Sequence, residues 1–488
     1  MKKMLLSNLL VVVGGLLYAF LFWKEGMGLN TFLYSIFLLG ALSIVHPGIW
    51  QSRRVIIMGT ATVFSAMLVV WHHSLLARFT HIITLLLFIG FVQVRELRFV
   101  WYAFLLGITS LFSGPAGYWK NLKFTEVNQS RLRAFWYWFK LILFPVIVGV
   151  LFFMLYYQAN LHFAGMMDRI GAKLVQLFTW RWAWGEVMLF LLGAAFTMAL
   201  LWPALTASYF QKKDQRRSLE LFRRRAERPF SKKMNALRQE FWRAKLTIGL
   251  LNGLLFIVNV TDLRYVWVEY ETVSAAALRQ YVHEGTYLLI FTILLAMLVL
   301  IYFFRRNLNF YPENKGLVDL ANLWLLQNAM LVLSVGHRNY QYISHYGLAY
   351  KRLAVIFFLL LVLFGLFTLY LKIKHKRTLF YLFLLNGWAL YATVLLTSTV
   401  NWDVAITRYN IHAKLDDPLD LYFLGYQMSD KNLRVLEAKK EQVIEKSRWT
   451  AEDVNSLLNE KRAGLIHRTS HLSWKSWNVI DWRNRKGK

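Results

Sequence analysis

The chain contains no cysteine. That excludes disulfides, thiolate zinc sites, iron–sulfur clusters and a thiolate nucleophile, while leaving the compartment open. Charge is scarce as well: 17% of residues are Asp, Glu, Lys or Arg, against about 25% in a soluble domain. The signatures of common enzymes are missing. No Gly-rich loop ends in Lys-Ser or Lys-Thr, no dinucleotide fingerprint occurs, and no Gly-x-Ser-x-Gly elbow is present. His283-Glu284 opens like a zinc-protease helix, but Tyr287 stands where the second histidine is needed, and zinc requires at least three protein ligands. No cofactor is implied. Internal repeats and low-complexity linkers are also lacking.

What is present is apolar length. Hydrophobic residues make up 57% of the chain. Crossing a hydrocarbon layer of about 30 Å takes roughly 20 apolar residues at 1.5 Å each, and such runs recur over residues 4–400. The fold class expected is all-α: a polytopic transmembrane helical bundle of about twelve spans with a small helical soluble C-terminal tail. The segments are 4–23, 29–46, 55–71, 79–94, 97–113, 141–157, 185–207, 246–262, 285–304, 317–335, 353–373 and 379–399. The first follows Lys2-Lys3 and ends at Trp23-Lys24-Glu25 with no small-residue cleavage pattern, so it reads as a retained span. Aromatic residues gather where runs end, as at Trp136-Tyr137-Trp138 and at Trp180, Trp182 and Trp184, in the manner of an interfacial belt.

Four regions follow: N-terminal spans over 1–207, a basic loop at 208–245, C-terminal spans over 246–399 and the tail at 400–488. The net charge is +30, and no nucleic-acid fingerprint accompanies it. No nucleic-acid partner is expected. The charge concentrates in loops, above all 208–245 with Lys212, Lys213, Arg216, Arg217, Arg223, Arg224, Arg225 and Arg228. A run of this kind stays cytoplasmic and meets the anionic headgroups of membrane lipids, the expected partner there. Alternation then puts 305–316 and 372–378 inside, and 263–284, 336–352 and the tail outside. Counting back through the predicted early spans, however, puts Lys2 and Lys3 outside, against the same rule. Either one early segment does not cross or a further crossing is present.

Residues 231–244 carry Met234, Leu237 and Phe241 on one face and Lys232, Lys233 and Arg238 on the other, as in a helix lying in the headgroups or a plain connector packed on neighbouring spans. Residues 161–178 repeat the pattern. Gly249 and Gly253 form a small-x-x-x-small pair of the kind that brings helices close. In the tail, Ser429-Asp430 can open a helix running to about 446, and Thr450 with Asp453 opens another. Trp474, Trp477 and Trp482 suggest a return to something apolar.

Several short stretches carry a resemblance when taken in order. They are Tyr281-Val282-His283-Glu284-Gly285-Thr286-Tyr287, Leu325-Leu326-Gln327-Asn328-Ala329, His337-Arg338-Asn339-Tyr340, Tyr346-Gly347-Leu348-Ala349-Tyr350-Lys351-Arg352, Asn401-Trp402-Asp403 and Tyr409-Asn410-Ile411. Over 245–430 the chain resembles a family of multi-pass bacterial inner-membrane proteins known only as a domain of unknown function. The resemblance implies that location and a shared core, and no activity.

The candidate site is a set of polar residues at span ends: Glu284, Arg338, His345, Tyr346 and Arg352, with His337 beside them. Charges at span ends are costly unless paired, which points to Glu284 with Arg338 or Arg352. The cluster is either a clamp fixing helix ends or a pocket for an anionic headgroup, sugar or ion. Three function classes compete: a non-catalytic scaffold, sensor or assembly factor with a membrane-protein partner; a transporter or channel; and an enzyme acting on a lipid-linked substrate, with Glu284, His337 or His345 as acid–base group.

Overall fold

The computed structural model describes residues 2–121, 184–223, 230–268 and 286–486, together with 141–178 except 143, 144, 147, 151, 155 and 159. The described residues form helices α1 (Lys2–Phe22), α2 (Leu29–Val45), α3 (Arg53–His72), α4 (Leu75–Gln93), α5 (Val100–Asn121), α6 (Leu161–Phe178), α7 (Trp184–Leu201) and α8 (Ala207–Gln215). Next come α9 (Phe230–Asp262), α10 (Thr286–Phe303), α11 (Lys315–Tyr346), α12 (Tyr350–Lys374) and α13 (Leu379–Thr397). The tail adds α14 (Trp402–His412), α15 (Leu433–Ala438), α16 (Lys440–Lys446), α17 (Ala451–Ser470) and α18 (Val479–Arg485).

Among the described residues nine helices are long and apolar enough to cross a membrane, not the twelve predicted. The chain is a multi-pass membrane protein. The three remaining segments form shorter apolar helices, Leu29–Val45, Val148–Gln158 and Leu288–Phe303. In α2 the cause is local: His46 follows its end, and as the residue before Pro47 it is pushed out of helical geometry.

The chain divides into two compact units, residues 1–23, 37–49 and 108–206, and residues 24–36, 50–107 and 207–488. In the first unit α1 and α7 run antiparallel at close range. A methyl group on Gly14 would meet Thr197, one on Gly193 would meet Tyr18, and one on Gly185 would meet Trp23. The start of α1 therefore lies level with the end of α7.

In the second unit α9–α13 share a core around Ile248, Leu300, Leu331, Val335 and Leu369. Helix α9 is continuous: the amphipathic stretch at 231–244 is its first third rather than a separate interfacial helix, since neither proline nor a cap interrupts it at 245. Leu237 and Phe241 pack into the bundle core. Gln327 donates to Asn252 at 3.0 Å, Asn252 to the Leu320 carbonyl at 3.0 Å and Asn259 to the Gln327 carbonyl at 3.1 Å, lacing α9 to α11. Gly249 and Gly253 meet nothing within 4 Å among the described residues, so that pair does not bring helices together here. Close approach occurs between α4 and α5 instead, where a methyl on Gly90 would collide with the Ala103 backbone. Lys372 also departs from expectation. It lies in the last turn of α12, not in a loop, and is buried, donating to the Phe304 carbonyl at the end of α10 at 2.7 Å.

The tail is a packed helical domain. Ile406, Leu421, Leu424, Leu433, Val454 and Leu457 form a separate core. Helix α17 starts with the predicted capping box, Thr450 and Asp453 exchanging bonds. Ser429 caps a short turn at Asp430–Asn432, and the predicted helix to 446 breaks into α15 and α16 at Lys439.

Candidate functional site

Helix α11 does not stop at residue 335. At 32 residues it is about 48 Å long, well beyond a hydrocarbon layer of about 30 Å. His337, Arg338, His345 and Tyr346 therefore sit on the last turns of one helix. The turn into α12 is made by Gly347 in the left-handed region at φ 79°. Arg352 donates to the Gly347 carbonyl and lies over the Tyr342 ring at 4.3 Å and the Tyr346 ring at 5.8 Å. A side chain at residue 347 would come within 2.7 Å of the Asn410 amide oxygen. That oxygen accepts the Leu348 N–H at 2.6 Å, and the Asn410 amide donates back to the Leu348 carbonyl at 3.0 Å. Tail helix α14 thus grips the turn by its backbone.

The other members take different partners. Arg338 pairs with Asp262, the last residue of α9, at 2.5 Å, and Ser334 donates to the same carboxylate at 2.7 Å. Both charged side chains are largely buried. His345 meets Asp416 at 2.8 Å, an exposed partner of small energetic value. His337 stacks on Trp267 at 4.4 Å and bonds Gln341. Glu284 lies outside the described residues, as do Arg224, Arg225, Arg228, Trp136, Tyr137, Trp138, Trp180 and Trp182.

A polar seam binds the tail to other helix ends. The Glu25 carboxylate accepts from the Ser473 N–H and from the Ser476 hydroxyl at 2.5 Å, and the Leu29 N–H donates to the Trp477 carbonyl at 3.0 Å. Gly28 is needed at this crossing, because a methyl there would lie 2.5 Å from the Ser476 carbonyl oxygen. Burial pushes the Glu25 carboxyl up, but the serine hydrogen bonds outweigh it and leave it below the usual range. At the α3–α4 connection His73 is buried, 4.0 Å from Asp481. Burial pushes its imidazole down to about 4, opposed by Asp481. Trp474, Trp477 and Trp482, near this seam, remain 40–57% exposed.

Inside the tail, Arg468 bridges Asp430 at 2.8 Å and Asp481 at 2.9 Å. Asp403 accepts from Tyr350 and Ser429, and burial raises its carboxyl above the usual range. Lys461 donates to the Leu424 and Met428 carbonyls and to Asn432, and burial lowers its amine to about 8. Asp403, Lys461 and Asp481 are buried charges with satisfied partners, the arrangement that fixes one packing geometry.

Residues 54–438 match the family described as Domain of unknown function (DUF4153). The chain belongs to this family. The DUF4153 match is wider than the 245–430 resemblance legible in the motifs, and it takes in α3–α8 as well as the first tail helices. No curated protein and no solved structure matches the chain.

Three features escaped the sequence reading. Asp262 lay at the edge of a predicted span and carried no motif. His81 stands in the middle of α4, fully inside the unit, 3.0 Å from the Ser65 hydroxyl and 3.5 Å from that of Ser35. A lone ionisable residue within an apolar run was the signal available for it. The third is a cleft of about 710 Å³ between the end of α3 and the tail helices α14, α15 and α18. Its residues come from four distant stretches, so no local pattern announces it.

Proposed function

We propose that this DUF4153 protein is a bacterial inner-membrane scaffold or sensor with no catalytic step, its tail domain on the extracytoplasmic side. The observation that carries the reading is the seam. Backbone and side-chain bonds tie a single tail domain to the start of α2 and to the α11–α12 turn, so a partner pulling on the tail loads helix ends far apart in sequence. The polar residues at the end of α11 support the same reading. Arg338 is held by Asp262 and Arg352 by its own turn, in the manner of a clamp. A photo-reactive residue at Tyr422, which is 58% exposed, is expected to crosslink one envelope protein in stoichiometric amount. Repeated recovery of the chain alone counts against the scaffold.

A transporter or channel is the second reading, and His81 favours it. Ionisable groups buried among spans commonly mark ion or proton paths, and Ser35, Ser65, Thr62, Thr80 and Thr84 are buried around it. Proteoliposomes showing a proton or cation flux abolished by His81→Leu would establish this reading over the first.

A further inference from the structure

The cleft beside α3 has a composition that asks for a particular ligand. Its apolar wall is built from Val404, Val435, Ala438, Val479, Ile480 and Trp71, and its cations are Arg408, Lys431, Arg434, Lys439 and Arg483. No acidic side chain lines it among the described residues. Arg408, Arg434 and Arg483 are exposed. Arg483 lies over the Trp71 ring at 5.6 Å. Crowded like charges repel, and an anion seated among them turns that repulsion into attraction. Two buried amide atoms on the lining, Asn401 Nδ2 and Asn484 Oδ1, have no hydrogen-bond partner among the described residues.

The position narrows the ligand further. Trp71 and His72 form the last turn of a membrane-spanning helix, so one wall of the cleft stands where hydrocarbon gives way to headgroups. A volume of about 710 Å³ falls in the usual range for small-molecule sites of about 300–1,000 Å³. A free inorganic anion would leave the apolar wall unused, and an apolar chain would leave the cations unpaired. A phosphodiester lipid satisfies both.

We infer that this cleft binds the headgroup and upper acyl region of an anionic phospholipid from the leaflet on the tail side, with its phosphate among Arg408, Arg434, Lys439 and Arg483. The site goes beyond the scaffold reading and stands or falls without it.

The test titrates the full-length protein in neutral detergent with dioctanoyl phosphatidylglycerol, dioctanoyl phosphatidylcholine and inorganic phosphate, following thermal stability. The anionic lipid is expected to bind at least about tenfold more tightly than either of the others, since a single basic residue near an anionic surface contributes about 1 kcal/mol. Arg408→Glu with Arg434→Glu is expected to weaken that binding at least about tenfold, while Arg448→Glu, an exposed charge outside the cleft, leaves it unchanged. Ala438→Trp, which fills the apolar part, weakens the lipid and spares phosphate. Equal binding of phosphate and anionic lipid would overturn the inference in favour of a simple anion site. Equal binding of the two lipids, or full affinity in the double reversal, would overturn it outright. Self-association lost in the double reversal, with no lipid effect, would reassign the surface to contact between copies.

Discussion

The bundle core around Leu331 and the tail core around Leu433 are packed from the same kinds of side chain, yet they turn opposite faces outward. On α9, Leu250, Leu254, Phe256 and Ile257 are 54–66% exposed. In the tail, Leu421, Leu424, Leu433 and Leu436 are nearly inaccessible, while Glu441, Gln442, Glu445 and Arg448 take the surface. Lipid rewards the first pattern and water the second. The polar bonds follow the same division. Within the spans they are few and lace helix to helix, as Asn252 and Gln327 do; in the tail they form connected ion-pair networks.

The sharpest way to break the comparison is to strand a charge at the boundary between the two environments. Asp262→Ala leaves Arg338 buried without its partner, a loss of about 3–5 kcal/mol. It is expected to lower the melting temperature in detergent substantially, and Asp262→Ala with Arg338→Met to restore most of it. A smaller loss in the single variant would mean that water reaches the pair. In the tail, Leu433→Ala should cost about 2–5 kcal/mol through the cavity it leaves. Hydrogen exchange should speed up in α15 and α17 while α9–α13 keep their protection; loss of protection throughout would show the two cores to be one cooperative unit.

Acid tests the seam between them. His73 has a folded pKa of about 4 against an ordinary 6.5, so it stays neutral in the folded chain while the unfolded chain takes up a proton. Stability is therefore full above pH 6.5 and falls as pH drops from 6.5 to 4, by at most ~3 kcal/mol. Release of the tail, read as protease sensitivity of residues 470–486, should rise over that window and become flatter in His73→Gln. An unchanged profile in that variant would remove His73 from the acid response. The smallest effect is expected at Thr450→Ala, about 1 kcal/mol from loss of the capping box. It should be visible as faster exchange at the first turn of α17 alone.

How much of this was legible varies by residue. Ser74, Thr378 and Thr450 cap helices through bonds to residues three positions on, and interactions of that range can be read along the chain. Asp262 meets Arg338 across 76 residues, and Ser476 meets Glu25 across 451; nothing near either residue names its partner. Hydrophobicity stops near residue 335, whereas α11 continues to Tyr346 on its backbone hydrogen bonds and on contacts with the tail such as His345 with Asp416.

Composition and run length determined that lipid solvates most of this chain, because burying a helix in hydrocarbon requires about 20 apolar residues in succession and little else. They also set the stretch beyond residue 400 apart, since it carries charges of both signs and no apolar run of that length. Which ends meet was decided only by the tertiary structure. The antiparallel pairing of α1 with α7, the Asp262–Arg338 pair and the cation-rimmed cleft each depend on contacts between distant stretches, and the number of such pairings open to a chain of this length is far larger than any local pattern can narrow.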